Sequence, residues 1–272
     1  MKRYIQKIKI ISAVLIFLFL SSDAVSQYAY NKIVWADEFN YRGLPDSTKW
    51  SYDSGNGCPS NCGWGNNELQ FYTSKRAENA RAENGNLIIE ARKEDYNAAK
   101  YTSARLISKN KGDWKYGRIE ARAKLPAGTG MWPAIWMLPT HWKYGGWPHS
   151  GEIDIMENVG YLADSAFSSV HTGAYNHGIN TQKTKAVNRK DLSTAFHVYG
   201  IEWTADSISF YIDDLVYHVF KNEKSGTGAW PFDQEFHLLL NIAVGGNWGG
   251  KFGVNDKIFP QRMEVDYVRV YQ

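Results

Sequence analysis

Apolar and polar residues alternate along most of this chain with the period of β-strands, two residues, rather than that of helices. Arg118 to Leu125 alternates without a fault, which predicts one core face and one wet face. Asn86 to Lys93 does the same, with Leu87, Ile89 and Ala91 inward. Ser207 to Phe220 predicts a hairpin turning at Asp213-Asp214, with Ile208, Phe210 and Ile212 alternating before it. Phe236 to Val244 is almost continuously apolar and suits a strand covered on both sides. No long stretch shows a helical period, no fixed repeat appears, and no Pro- or Ser-rich linker divides the chain. The expectation is one antiparallel β-sandwich.

One segment breaks its own alternation. In Gly151-Glu152-Ile153-Asp154-Ile155-Met156-Glu157-Asn158 the period of two puts Glu152 and Asp154 on one face and both isoleucines on the other. Glu157 would then fall among the isoleucines, an expensive place for an isolated charge. A β-bulge at Ile155-Met156 would turn Glu157 back beside the other two acids, and bulges often re-aim side chains at active sites. Carboxylates so close suit glycoside hydrolysis, which needs one ionised group as nucleophile and one protonated group as acid. Retaining enzymes hold the pair roughly 5–5.5 Å apart. An acidic edge strand or a calcium site would place acids similarly, so spacing alone leaves these readings open.

Further motifs narrow the choice. Glu152 to Glu157 resembles the active-site motif of glycoside hydrolase family 16, in the form with an extra residue before the last Glu. Gly130-Met131-Trp132-Pro133-Ala134-Ile135-Trp136-Met137-Leu138 is similar to the segment preceding that motif in the family's laminarinases. Gly245 to Gly250 (GGNWGG) and Glu264 to Tyr271 (EVDYVRVY) are similar to later family landmarks, and the order from about Ile33 onward is right. The resemblance implies a two-sheet jelly-roll sandwich with a glycan cleft on its concave face, and a retaining endo-β-1,3-glucanase acting on laminarin-like glucans. It assigns Glu152 as nucleophile, Glu157 as acid/base and Asp154 as the group tuning them. Mixed-linkage glucan and agar- or carrageenan-type galactans are the competing substrates; the extra Met156 argues against lichenase-type enzymes, and the Trp132–Leu138 segment favours laminarinase over agarase. A glucan-binding protein on the same sandwich is the non-enzyme alternative, disfavoured because all three acids are present.

Around the acids, Trp132 and Trp136 lie four apart, so both could offer flat surfaces to sugar rings; Pro133 between them argues against a central strand. Trp248, flanked by glycines, has little to pack against and is read as a sugar contact, with Trp64 a weaker candidate of that kind. The resemblance adds His171 beside the acids, Asn67 and Glu68 as cleft lining, and Arg105 as a donor to sugar hydroxyls. It also implies a structural calcium held by Glu38, the Gly85 carbonyl and Asp266; oxygen ligands suit that ion. No cofactor is expected for catalysis.

Composition alters the picture in two places. Residues 1–26 read as a secretory signal peptide: Lys2, Arg3, Lys7 and Lys9 precede the apolar Ile10–Leu20 run, and Ala24-Val25-Ser26 suits cleavage before Gln27. Without that leader, the 31 Lys+Arg and 28 Asp+Glu each fall to 27, so the formal +3 belongs to the leader. The neutral remainder, 27–272, is expected to be one catalytic domain, secreted or periplasmic and monomeric. It should bind a neutral β-glucan rather than nucleic acid or membrane. Cys58 and Cys62, the 2 cysteines present, suit a local disulfide in an exported protein. Aromatics at 15% fit both stacking surfaces and a sandwich core.

Overall fold

The computed structural model describes residues 29–272; the leader read from residues 1–26 lies outside them. The chain opens with β1 (Ile33–Asp37), β2 (Ser51–Tyr52), β3 (Gln70–Tyr72), β4 (Ala80–Glu83), β5 (Asn86–Tyr96) and β6 (Ala99–Ser103). It continues with β7 (Arg105–Ile107), β8 (Asp113–Trp114), β9 (Gly117–Lys124), β10 (Met131–Pro139), β11 (Glu152–Glu157) and β12 (Ser165–His171). The last six are β13 (Lys183–Asn188), β14 (His197–Trp203), β15 (Ser207–Ile212), β16 (Leu215–Lys221), β17 (Phe236–Val244) and β18 (Gln261–Tyr271).

These strands make two sheets. One runs β16-β15-β14-β9-β18-β5-β6-β3, with β1 on β18 and β4 on β5; the other runs β13-β12-β11-β10-β17-β7-β2, with β8 on β17. Every described pairing is antiparallel except β3 with β6. The inward faces meet in a single core that includes Leu87, Ile89, Ile119, Ile135, Met137, Ile153, Ile201, Phe210, Leu240 and Val268. The architecture is the expected two-sheet jelly-roll sandwich, and the hairpin turns at Asp213-Asp214 as read.

Two expectations need correction. The outer face of β9 is not uniformly wet, because Glu120 is buried and accepts hydrogen bonds from Arg118 (2.6 Å) and Tyr211 (2.8 Å). Tyr211 reaches it across β14 because residue 200 is glycine: a Cβ there would sit 2.3 Å from the Tyr211 ring. Pro133 does occupy a central strand, between β11 and β17. Its carbonyl accepts from the Asn158 amide, just past the last β10–β11 pair. The carbonyl and nitrogen of a strand residue face the same edge, so the missing N–H falls where the β11 ladder has ended and costs no ladder bond.

Candidate active site

The break in β11 is a bulge. Against β10, Ile135 pairs with Met156 and the next residue, Trp136, pairs with Asp154; against β12, Asp154 pairs with Ser169 and Glu157 with Phe167. On both sides β11 carries one extra residue. Ile155 and Met156 therefore both enter the core, while Glu152, Asp154 and Glu157 all line a cleft on the outward face of the eight-stranded sheet. Two apolar residues in succession make this possible, since both find apolar surroundings and Glu157 is spared them.

Each acid has a distinct set of partners. Glu157 Oε1 accepts from Trp132 Nε1 at 2.9 Å, and Glu152 Oε2 accepts from Trp147 Nε1 at 2.8 Å. Asp154 is almost wholly buried between them, hydrogen-bonded to Glu152, with Oδ2 3.3 Å from His171 Nε2. The same His171 nitrogen lies 3.9 Å from Glu152 Oε1. Burial first, and then the neighbouring Asp154 charge, push the Glu157 carboxyl up to about 8, against the opposing pull of the Trp132 hydrogen bond. Burial and Glu152 likewise hold Asp154 well above the usual carboxylate range. The site thus keeps Glu157 protonated at neutral pH without any arginine or lysine beside it. Glu152, Asp154 and His171 offer ligand atoms within 4.8 Å of one another, and they are the group among the described residues dense enough to hold a metal ion.

The cleft encloses about 1060 Å³. Strict alternation builds its floor: Trp132, Ala134, Trp136 and Leu138 of β10 face it, while Met131, Ile135 and Met137 face the core. Asn241 and Ala243 of β17 and Phe167, Ser169 and His171 of β12 extend the floor on either side. Phe236–Val244 is buried throughout, as read; its second cover is the cleft's own furniture. Arg105, also buried, lies between Trp64 and Trp136 with its guanidinium 4.6 Å from each ring centre. Its Nε has no hydrogen-bond partner and sits 3.4 Å from Asp53. Glu68 lines the same end, accepting from Gln70 Nε2 (2.7 Å) and Tyr72 (3.3 Å), with burial raising its pKa.

The other sequence candidates divide. Trp132 and Trp136 both line the cleft, but neither is a bare platform: Trp132 holds Glu157, and Arg105 covers a face of Trp136, whose Nε1 donates to Asn241 at 2.7 Å. Trp248 lines the cleft and stands edge-on to Trp132 (5.6 Å) and Phe167 (5.0 Å), so it finds packing that its glycine neighbours did not suggest. Asn67 does not line the cleft; Asn66 does. Asn67 adopts a left-handed backbone (φ 56°) and turns its side chain to Asn247, donating at 2.8 Å. Cys58 and Cys62 are joined in a disulfide.

The implied calcium ligands do not fit an ion as they stand. Glu38 is held by both Nε and Nη2 of Arg269 (2.8 Å each), and Asp266 by Arg122 at 2.6 Å. A cation joining them to the Gly85 carbonyl would first have to displace a guanidinium from each. Sequence reading missed Trp147, Trp142, Phe167 and His177, which all line the cleft. Trp147 and His177 sit outside the strands and outside any periodic pattern, so no sequence signal marked them.

Comparison with known proteins agrees with this geometry. The model of glycosyl hydrolases family 16 matches residues 67–269. A β-glucanase of Rhodothermus marinus is 52% identical over 260 residues, covering 93% of this chain and 89% of that protein. The crystal structure of the laminarinase from Rhodothermus marinus superposes with a TM-score of 0.86 at 52% identity, over 89% of this chain and 97% of that one. SCLam, a non-specific endo-β-1,3(4)-glucanase solved with an oligosaccharide in its active site, gives 0.84 at 47% identity, over 91% and 95%. With the motif order, the bulged acids and the cleft in agreement, this chain belongs to glycosyl hydrolases family 16 and is a glycoside hydrolase.

Proposed function

We propose that this enzyme cleaves internal β-1,3-glucosidic bonds of laminarin-like glucans with retention of configuration. One observation carries the reading: the bulge sets Glu152 and Glu157 over one cleft, with Glu157 pushed up to about 8. In the first displacement the Glu152 carboxylate attacks the anomeric carbon. Glu157 gives its proton to the departing glycosidic oxygen, and a covalent glycosyl-enzyme forms. In the second, Glu157, now a carboxylate, takes a proton from water. That water displaces Glu152, releases a reducing end of unchanged anomeric configuration and restores both groups. Trp147 and Asp154 orient Glu152, and Trp132 orients Glu157. The aromatic lining of the cleft suits an uncharged glucan.

Export is part of the same proposal: the basic, apolar and small-residue sequence of positions 1–26 supports it, and so does a disulfide between Cys58 and Cys62. The test is reducing-end release from linear β-1,3-glucan, lichenan and agarose, with product anomers followed by NMR. Preferred cleavage of the β-1,3-glucan with first-formed β-anomer supports the reading; preference for either other polymer, or α-anomer, overturns it.

A further inference from the structure

Beyond the cleft lies a second recess that the reaction above does not use. It encloses about 420 Å³ and is lined by Asn67, Leu69, Tyr101, Asn247, Val254 and the backbone of the glycine-rich loop at Gly245, Gly246, Gly250 and Gly253. That volume falls at the small end of the roughly 300–1,000 Å³ typical of small-molecule sites, room for a sugar unit rather than a chain. Asn247 lines both this recess and the catalytic cleft, and its hydrogen bond from Asn67 is the wall between them. The Asn67 side chain, absent from the cleft, belongs here.

The recess is built rather than incidental. The Tyr101 ring is fixed from behind: its hydroxyl donates to Asp256 at 2.7 Å, Lys93 holds the same carboxylate at 2.7 Å, and Phe259 packs against the ring at 5.2 Å. Leu69, just before β3, is 48% exposed and presents an aliphatic surface to the recess. The loop wall carries no side chain at Gly245, Gly246, Gly250 or Gly253, and three of these have positive φ, so backbone approaches the recess directly. The Asn67–Asn247 bond leaves one amide oxygen and one amide nitrogen free for hydroxyls. A fixed ring, a bare aliphatic group and paired amides are what a pyranose recognises through its C–H face and its hydroxyls.

We infer that this recess is a side subsite for a single glycosyl branch carried by a glucan whose backbone lies in the main cleft. The inference rests on the proposed β-1,3-glucanase reading, and it adds that branched chains are read, not merely tolerated. Continuity through Asn247 is the reason to assign the occupant to the same substrate molecule rather than to a separate ligand.

The test compares linear β-1,3-gluco-oligosaccharides with oligosaccharides of equal backbone length bearing one 6-O-glucosyl branch. Three proteins are used: the full chain, Tyr101→Ala and Tyr101→Phe. The expected result is a KM for the branched substrate about fivefold higher in Tyr101→Ala, the effect of removing one aromatic contact. The linear substrate should keep its kcat and KM. Tyr101→Phe, which keeps the ring, should behave as the unaltered chain. Equal effects on both substrates, or none on either, would overturn the side subsite. Failure of the unaltered chain to cut the linear substrate would instead overturn the β-1,3-glucanase reading, so the two failures are told apart. If Tyr101→Ala fails to fold, Leu69→Asp carries the same comparison.

Discussion

The two faces of this sandwich bury carboxylates to the same depth and treat them in opposite ways. On the outer face of the ten-stranded sheet, Glu90 is 2% exposed and meets Arg81, Arg92 and Arg262. Beside it Arg76 and Thr102 hold Glu94 down to about 2. On the outer face of the eight-stranded sheet, Asp154 is 3% exposed and Glu157 lies next to it, yet no guanidinium or ammonium reaches either among the described residues. There, burial and mutual repulsion push both carboxyls up. Depth of burial therefore does not mark the working acids. The absence of a cationic partner does, because an enzyme that must hold a proton at neutral pH cannot let an arginine neutralise the group first.

The sharpest way to break this comparison is to neutralise one acid on each face. Glu152→Gln should lower hydrolysis by roughly 10³-fold or more while leaving the melting temperature within a few degrees, since it removes a reacting group and no cation loses its partner. Glu90→Gln should do the reverse. Turnover should be retained, and stability should fall by about 2 kcal/mol, a Tm drop of roughly 4–8 °C, because three arginines lose their shared counter-charge. That figure is set below the cost of fully buried pairs because Arg92 and Arg262 are partly exposed. Reducing-sugar assays and thermal melts on the two variants suffice. If Glu90→Gln loses activity as severely as Glu152→Gln, the division of labour between the faces is wrong.

The pH dependence of the cleft sharpens the same point. A Glu157 carboxyl at about 8 must be protonated to act as acid, so kcat/KM should fall as pH rises through about 8. Stability carries the same sign. The folded chain keeps a proton that the unfolded one gives up near its ordinary value of 4.5, so this contribution is full below about 4.5 and is lost as pH climbs towards 8. The share of Glu157 in that slope is at most about 1.4 kcal/mol per pH unit, and Glu157→Gln should flatten the slope by that share while Asp154 and Glu68, also raised, keep theirs. Trp132→Phe removes the one hydrogen bond that favours the charged form, so the alkaline limb of kcat/KM should move to higher pH. A limb that moves down, or stays, would mean that Trp132 does not set the Glu157 proton.

How much of this was legible in the sequence follows from what each residue had to satisfy. The core faces of β5, β9, β15 and β17 were plain because burial imposes a strict period, and the bulge was plain because three acids among apolar residues fit no regular ladder. Pro133 misled because the rule against central prolines concerns a lost N–H, and here that N–H faces the spot where the neighbouring strand ends. Asn67 misled by one position, since its left-handed turn hands the cleft to Asn66. Trp147 and His177 were out of reach because residues between strands follow no period, and their neighbours come from tertiary closure alone.

Arg105 offers the mildest test of the contrast, because it is a cation buried in the cleft itself. It lies 4.6 Å from the Trp64 and Trp136 ring centres, and the carboxylates it acts on are Asp53, at 3.4 Å, and Glu68 rather than Glu157. Its charge thus meets two rings and the carboxylates of Asp53 and Glu68, not the reacting groups. Arg105→Lys keeps the charge and loses the planar stack. It should raise KM about threefold to tenfold, the effect of roughly 1 kcal/mol of stacking, with kcat and the position of the alkaline limb unchanged. Were the limb to shift with this substitution, Arg105 would be acting on the Glu157 proton after all, and the separation of binding cation from catalytic acid within the cleft would not hold.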